Sequence, residues 1–503
     1  MADFDVIVIG SGIGGLVAGS LLARHGKKSL ILESHCYPGG AAHSFSRQGF
    51  VFDSGPSFYC GLADPTSLNP LRQVLKLLGE TLDVLAYNPL GHYHFPEVSL
   101  PISCQSAQYR ANIAQVTAQG AIELAGFEQR LLKLYQGLRQ IPTLALRADW
   151  QLLPLLIGRY GGALLRLLPQ IREISGSTGQ ILDQTVADPW VRRLIDLECF
   201  LLSGLKAEGT VAPEMAFMFG ERDRVAVEYP IGGSGAIIDA LVSGLRRWNG
   251  ELHLNAHVEQ ILVENNQVQG VRLKNGELLF APIVISNATL WDTINHLLRP
   301  EDLPASYRRQ GLQTPAVESF MHLHLGIRSE GLESLTGHHV VVQDSNQDIT
   351  VPGNTCMISI PSVWDPNLAP PGHHGVHAYT LEPYAGWQLD STYQARKQAR
   401  SQILYQALER VIPDIRSRVV LELIGTPLTH SRFLRRYQGT YGPATAAGQG
   451  SFPGPHTPIR GLYRVGDSTM PGIGVPAVAA SGILCANTLV KPHQTLKLLD
   501  WLK

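Results

Sequence analysis

Gly10, Gly12 and Gly15 stand at the spacing GxGxxG within Asp3–Gly15 (DFDVIVIGSGIGG). Four apolar residues, Val6 to Ile9, lead into them, and a run with Leu16, Val17, Leu21 and Leu22 on one side leads out. A strand apolar on both faces belongs in a parallel sheet, and the run after it predicts a helix that stops at Gly26. The turn Gly10-Ser11-Gly12-Ile13-Gly14-Gly15 suits a pyrophosphate. Gly10 permits the tight turn, Gly12 lets phosphate reach the backbone, and Gly15 lets helix pack on strand. The free N–H groups of the helix start, with about half a positive charge, face the anion. A second strand, Ser29 to Leu32, ends in Glu33, which can accept both ribose hydroxyls and would repel a 2′-phosphate. The chemistry is dinucleotide binding. NADP is disfavoured, and at this point FAD and NAD are both open.

The other end of the chain decides between them. Gly461 to Asp467 (GLYRVGD) reads as another buried strand ending in a glycine turn with a carboxylate, Gly466-Asp467. Pro471 to Gly482 (PGIGVPAVAASG) reads as a helix entered through Gly474, Val475, Pro476 and Ala477. Such a turn suits the ribityl chain of FAD, and the helix start directs N–H groups at a flavin carbonyl. FAD is therefore the expected cofactor. Its expected contacts are the Gly10–Gly15 turn, Glu33, Gly40, Ala41, Ser57, Val258 through its backbone, Gly466, Asp467, Gly474, Val475 and Ala477.

No GxSxG elbow, P-loop or HExxH occurs, and the six cysteines show no paired or metal-ligand spacing, so reduced thiols are expected. His322 and His324 point the same way on a strand but lack a third ligand by spacing. These two, with His373, His374 and His377, are read as satisfied structural histidines, and no metal is expected. Spacing marks no catalytic side chain, because a flavin itself exchanges hydride or electrons.

With 503 residues the chain exceeds one core. A net charge of −1 gives no basic field, so no nucleic-acid partner is expected. Between the two cofactor ends lie a helix from Ala236 to Trp248 and a meander. The meander comprises Leu252–Leu254, His257–Glu264 and Gln267–Leu273, then an Asn275-Gly276 hairpin into Leu278–Phe280. Ile283 to Ala288 then returns to the parallel sheet. The cofactor domain is thus expected to be discontinuous, over 1–100, 225–300 and 455–503, with 101–224 and 301–454 forming a substrate-binding, membrane-facing domain.

Helical leucine patterning runs from Ile122 to Leu205. Within it Asp149–Arg172 holds Trp150, many leucines and three arginines, and reads either as core-facing or as an exposed patch that dips into a bilayer. Arg159, Arg166, Pro154 and Gly161-Gly162 argue against a spanning helix. The acidic N-terminus does not resemble a secretory signal. A cytoplasmic protein peripherally attached to membrane is expected.

With these motifs in place, the chain resembles the phytoene desaturase and carotenoid isomerase family of flavoproteins over nearly its whole length. The carrying segments include Val6–Ala23, Pro38–Ala42, Tyr229–Ile237, Val284–Thr293, Pro361–His374, Gln438–Pro443 and Thr457–Gly482. The runs SNATLWD and GTYGP look more like the prolycopene isomerase branch. The resemblance implies an α/β fold: a two-part FAD-binding Rossmann-like domain of the GR2/amine oxidase type with an inserted α+β substrate domain. It implies a hydrophobic polyene substrate, a membrane surface as partner, and cis-trans isomerisation of a poly-cis carotenoid with reduced FAD. Desaturation or saturation of a polyene, with a quinone or other electron partner, is the alternative. Amine or porphyrinogen oxidation on the same fold, or a non-enzymatic carotenoid carrier, stand further off.

Overall fold

A computed structural model describes residues 2–55, 58–448 and 452–502 of the chain. Its centre is a parallel sheet of five short strands, in the order Leu462–Arg464, Val284–Ser286, Val6–Ile9, Ser29–Leu32, Glu251–His253. Three distant stretches of sequence therefore meet in one sheet. Both faces of the Val6–Ile9 strand are covered, which explains its unbroken apolar run. Val6 and Val8 pack into a cluster with the helices, whereas Ile7 and Ile9 pack into one with the meander.

On the helical side, Ile13–Arg24 and Val475–Thr488 lie against each other. A Cβ at Gly482 would come 2.7 Å from the Gly14 carbonyl oxygen, so the two helices approach as closely as backbones allow. Ser234–Arg247 completes that layer through Ile237, Ile238, Leu241 and Leu245. On the opposite side Val258–Glu264, Gln267–Leu273 and Leu278–Phe280 form the antiparallel meander. Residues 251–253 do not join it. They extend the parallel sheet beside Ser29–Leu32, because a short apolar alternation looks the same in either kind of edge strand.

A second, mixed sheet of seven strands has the order Val419–Gly425, Ser319–Arg328, His373–Glu382, Thr355–Ser359, His338–Val342, Gly91–His94, Ser99–Ile102. Gly91–His94 falls in the stretch expected with the cofactor segments, and the expected boundary at residue 100 cuts through Ser99–Ile102. They pair instead with the second sheet, through the parallel contact of Gly91–His94 with His338–Val342. Helices Ala118–Leu138, Pro189–Ser203 and Ala212–Val225 share a core with this sheet. A buried ion pair, Arg222–Glu198 at 3.1 Å, crosses between two of them.

The helix Leu152–Leu167 and its short continuation to Ser175 lie on the surface. Trp150 is 79% exposed, Leu153 63%, Leu165 68% and Leu168 57%, while Leu155 and Leu167 are the buried anchors. The core-facing reading of this segment therefore gives way to the exposed one. The stretch has the length and apolarity of a span. It is nevertheless broken at Tyr160, where φ is −124°, and tied down by Arg159 to Asp500 (2.6 Å) and Arg166 to Gln140 (3.0 Å).

Candidate functional site

The carboxyl ends of the parallel strands open into a cavity of about 970 Å³, whose far wall is the seven-stranded sheet. Crevices at this edge of an α/β sheet are where ligands bind, because helix N-termini and strand-end turns converge there. Gly10, Gly12, Ile13, Glu33, Gly40, Ala41, Val258, Gly466, Asp467, Gly474 and Val475 all line it. Segments more than 400 residues apart in sequence thus face one space.

Ser11, Gly14 and Gly15 stand behind that lining. Ser11 donates from its backbone N–H (2.8 Å) and its hydroxyl (2.6 Å) to one oxygen of Glu33, and the His35 N–H donates to the other at 2.8 Å. The carboxylate is thereby fixed across the mouth of the glycine turn. Gly15 is obligatory: a Cβ there would sit 2.2 Å from the Gly10 carbonyl oxygen. Gly40 closes over Gly12, where a Cβ would meet the Gly12 Cα at 3.3 Å. Ala477 sits in the first turn of the Val475–Thr488 helix and is not part of the lining. Ser57 lies outside the described residues. Asp467 faces the cavity and is held by the guanidinium of Arg436.

Several lining residues escaped sequence reasoning. Asn287 is the central one. Its N–H donates to the Ile9 carbonyl at 2.8 Å, and its side chain fills the space between both glycine turns. A Cβ on Gly12 would meet the Asn287 Nδ2 at 2.6 Å, and one on Gly466 its Oδ1 at 2.8 Å. The available signal was a polar residue one step past the carboxyl end of a buried parallel strand. The deep wall was missed too. Phe200, Leu201, Val317, Phe320 and Met357 make it apolar, and Tyr379, His430 and Tyr441 add flat rings.

Behind His430 the structure gathers His322, His324 and His377 into one buried stack. His322 lies 4.3 Å from His430 ring to ring, His324 lies 4.1 Å from His377, and His322 Nδ1 hydrogen-bonds His377 Nε2 at 2.9 Å. Burial pulls all four below the ordinary imidazole range, His324 to about 4 and His430 to about 3. Burial likewise holds His322 and His377 well below that range, with the neighbouring rings adding to the effect. All four are neutral at physiological pH. Of the histidines expected to be satisfied, His324, His373 and His374 each have a hydrogen-bond partner, whereas His322 Nε2 and His377 Nδ1 are buried without one, as are His430 Nδ1 and the Tyr441 hydroxyl. Among the described residues, no group of three or more His, Cys, Asp or Glu could hold a metal.

The residues present fit a flavin dinucleotide. Two glycine turns whose added Cβ atoms would collide, two helix starts and a ribose-height carboxylate share one elongated cavity with an apolar deep end.

Comparison with known proteins agrees. The sequence profile of flavin-containing amine oxidoreductases matches residues 13–490. The chloroplastic prolycopene isomerase of Daucus carota is 36% identical, over 96% of this chain and 80% of that protein. The corresponding protein of Arabidopsis thaliana is 34% identical, over 96% and 82%. A lycopene-forming phytoene desaturase of Pseudescherichia vulneris is 27% identical, over 97% and 99%. Among solved structures, an oxidoreductase of Methanosarcina mazei superposes with a TM-score of 0.62 at 20% identity, over 95% and 98% of the two chains. Cyclohexylamine oxidase of Brevibacterium oxydans superposes at 0.58 and 16%, over 99% and 100%. These two establish the fold.

Proposed function

This chain belongs to the flavin-containing amine oxidoreductase family, in its branch of FAD-dependent carotenoid isomerases and desaturases, and we propose that it isomerises cis double bonds of a poly-cis carotenoid with reduced FAD. The observation that carries the reading is the single cavity in which both glycine turns meet an apolar deep wall. Near-full-length identity above one third to prolycopene isomerases supports isomerisation over hydrogen removal.

We assign the cofactor unit to segments around 1–90, 225–300 and 455–503, which supply the parallel sheet and its meander. The backbone N–H groups at Gly12–Gly14 would take the pyrophosphate, and Glu33, held by Ser11 and His35, the adenosine ribose. Gly40 and Ala41 would flank the ring system. The N–H groups at Gly474–Val475 would meet the ring carbonyl, with Asp467 and Arg436 beside the ribityl chain. FAD, when bound, supplies the electron or hydride exchange.

The chain's own part in catalysis is positional. Phe200, Leu201, Val317, Phe320 and Met357 exclude water and orient a polyene along the deep wall. The buried histidines stay neutral and place no cation beside it.

We further assign the surface helix Leu152–Leu167, with exposed Trp501 beside it on the C-terminal helix, as the face through which the chain lies on a membrane and receives its substrate. Trp150, Leu153, Leu165 and Leu168 would enter the acyl boundary, with Arg166 and Arg172 at the headgroups. Desaturation with a quinone as electron acceptor is the second reading, supported by the full-length likeness to a desaturase.

Mass-resolved chromatography after incubation with a poly-cis carotene separates the two. Isomerisation by the reduced holoprotein shifts retention at constant mass. A product lighter by two hydrogens, formed by the oxidised protein, refutes isomerisation in favour of desaturation.

A further inference from the structure

A second cavity, of about 160 Å³, adjoins the deep end of the main one. Val317, Tyr384, Tyr437 and Gln438 line both spaces. The chemistry of the lining changes across them. On the near side stand Phe200, Leu201, Phe320 and Met357. On the far side Thr314, Glu318 and Ser319 join the chamber, and the surface it offers is chiefly polar. Its volume is many times what one water needs.

The chamber is built where the Ser319–Arg328 strand begins, against the turn Tyr437–Gly439. The Val317 N–H donates to the Gly442 carbonyl at 2.8 Å, which pins the strand entry to the loop beyond that turn. Gly439 lets the two approach: its φ is +63°, and a Cβ there would stand 2.7 Å from the Ser319 Oγ. Several polar groups of the chamber are accounted for. Trp291 Nε1 donates to the Thr314 carbonyl at 3.2 Å, the Thr314 hydroxyl donates to the Gln310 carbonyl at 3.3 Å, and Glu318 and Gln438 are exposed. Ser319 is the exception. It is 1% exposed, and its hydroxyl is buried without a partner. A buried hydroxyl left unpaired is costly, and an alanine in its place would carry no such cost. The group calls for a ligand atom that can hydrogen-bond. A hydrocarbon chain end offers none, whereas a hydroxyl or a carbonyl does.

We propose that this chamber receives an oxygen-bearing end group of the polyene, a hydroxyl or a carbonyl, and that Ser319 selects for it. The inference rests on the polyene reading given above and narrows its substrate class. The hydrocarbon part of the substrate lies along Phe200, Leu201, Phe320 and Met357, and its end passes Val317 into the polar space. There an oxygen atom pairs with Ser319 and takes over the hydrogen bonds of the water it displaces. A bare chain end would displace the same water and leave the hydroxyl unpaired. Sites that hydrogen-bond a substrate oxygen reject the analogue lacking it for this reason. Ser319 determines specificity; no bond is made or broken in the chamber.

The test uses the FAD-loaded full chain and two probes delivered in detergent micelles. These are lycopene and 16-hydroxylycopene, which differ by one hydroxyl on a terminal methyl group. Gel filtration separates bound from free, and the polyene's own absorption reads the bound fraction. Comparing each variant with the unaltered chain cancels the difference in micelle partition between the probes. Ser319→Ala removes a hydroxyl that makes no hydrogen bond within the fold. The preference for 16-hydroxylycopene over lycopene then falls by a factor on the order of 10. Ser319→Val, which fills the space with methyl groups, lowers it at least as far. Thermal unfolding checks that both variants are folded, and Ser319→Ala decides the matter alone should Ser319→Val fail to fold. The same preference in the unaltered chain and in Ser319→Ala overturns the inference and leaves the polyene reading standing. An FAD-loaded unaltered chain that takes up neither probe strikes the polyene reading itself, and the chamber's ligand falls with it.

Discussion

Replacing Leu153, Leu165 and Leu168 together by Gln removes most of the apolar face that the surface helix offers to a bilayer. The three side chains are 63%, 68% and 57% exposed, so roughly two thirds of each remains to be buried. Full burial of a leucine is worth about 1.5–3 kcal/mol, which leaves ~1–2 kcal/mol per residue and ~3–6 kcal/mol for the set. At about 1.4 kcal/mol per factor of ten, membrane partitioning falls by ~10²–10⁴. Folding stability is set elsewhere, by Leu155, Leu167 and the helices beneath, so the variant stays within about 0.5 kcal/mol of the parent. Flotation with anionic phospholipid vesicles, alongside urea denaturation, measures both quantities. A triple variant that floats as fully as the parent, while equally stable, refutes the membrane role of this helix. One that loses stability by several kcal/mol shows that these leucines are packed, and removes the premise.

Gly12→Val places a branched side chain where Asn287 Nδ2 stands only 2.6 Å from the new Cβ. Overpacking of this kind costs about 1–3 kcal/mol, and FAD retention, read as the flavin-to-protein absorbance ratio, drops at least tenfold in affinity. The buried histidines make stability depend on pH. For His324 burial lowers the folded value from 6.5 to about 4, so between those limits the unfolded chain binds more protons and stability falls as pH falls. The slope is about 1.4 kcal/mol per pH unit for each such histidine. Denaturation at pH 7, 6 and 5 reads it, and a His324→Phe variant shows one histidine's worth less slope; an identical slope refutes the assignment. Arg222→Ala leaves Glu198 buried and unpaired, a loss of about 3–5 kcal/mol, whereas replacing both by Met and Leu restores most of it. Equal losses in the single and double variants contradict that account of the pair.

The parts of the fold that announce themselves in sequence are those made by neighbours. The Gly10–Gly15 turn, its two strands and the hairpin at Asn275-Gly276 are each specified within a few residues. The strand Val284–Ser286 and the helix from Val475 are legible because burial on all sides leaves unbroken apolar runs. Long-range pairing leaves no such local mark. Gly91–His94 reads equally well beside the cofactor segments, and only its contact with His338–Val342 assigns it to the second sheet. Residues 251–253 were drawn to the wrong sheet for the same reason. In the site, glycines betray themselves because only they fit strained turns. Asn287, Arg436 and His430 acquire their roles only when strands and loops far apart in sequence bring them together. The histidines of the second sheet show the limit most clearly: alternation placed His322 and His324 on one face, but nothing local could bring His377 and His430 against them.

The claim on which the rest depends is that the two ends of this chain close on one FAD. Titrating the purified protein, stripped of bound flavin, with FAD and following flavin fluorescence tests it directly. The account predicts saturation at one FAD per chain, with the endpoint abolished by Gly12→Val. A chain that stays colourless and leaves the fluorescence of excess FAD unquenched contradicts it.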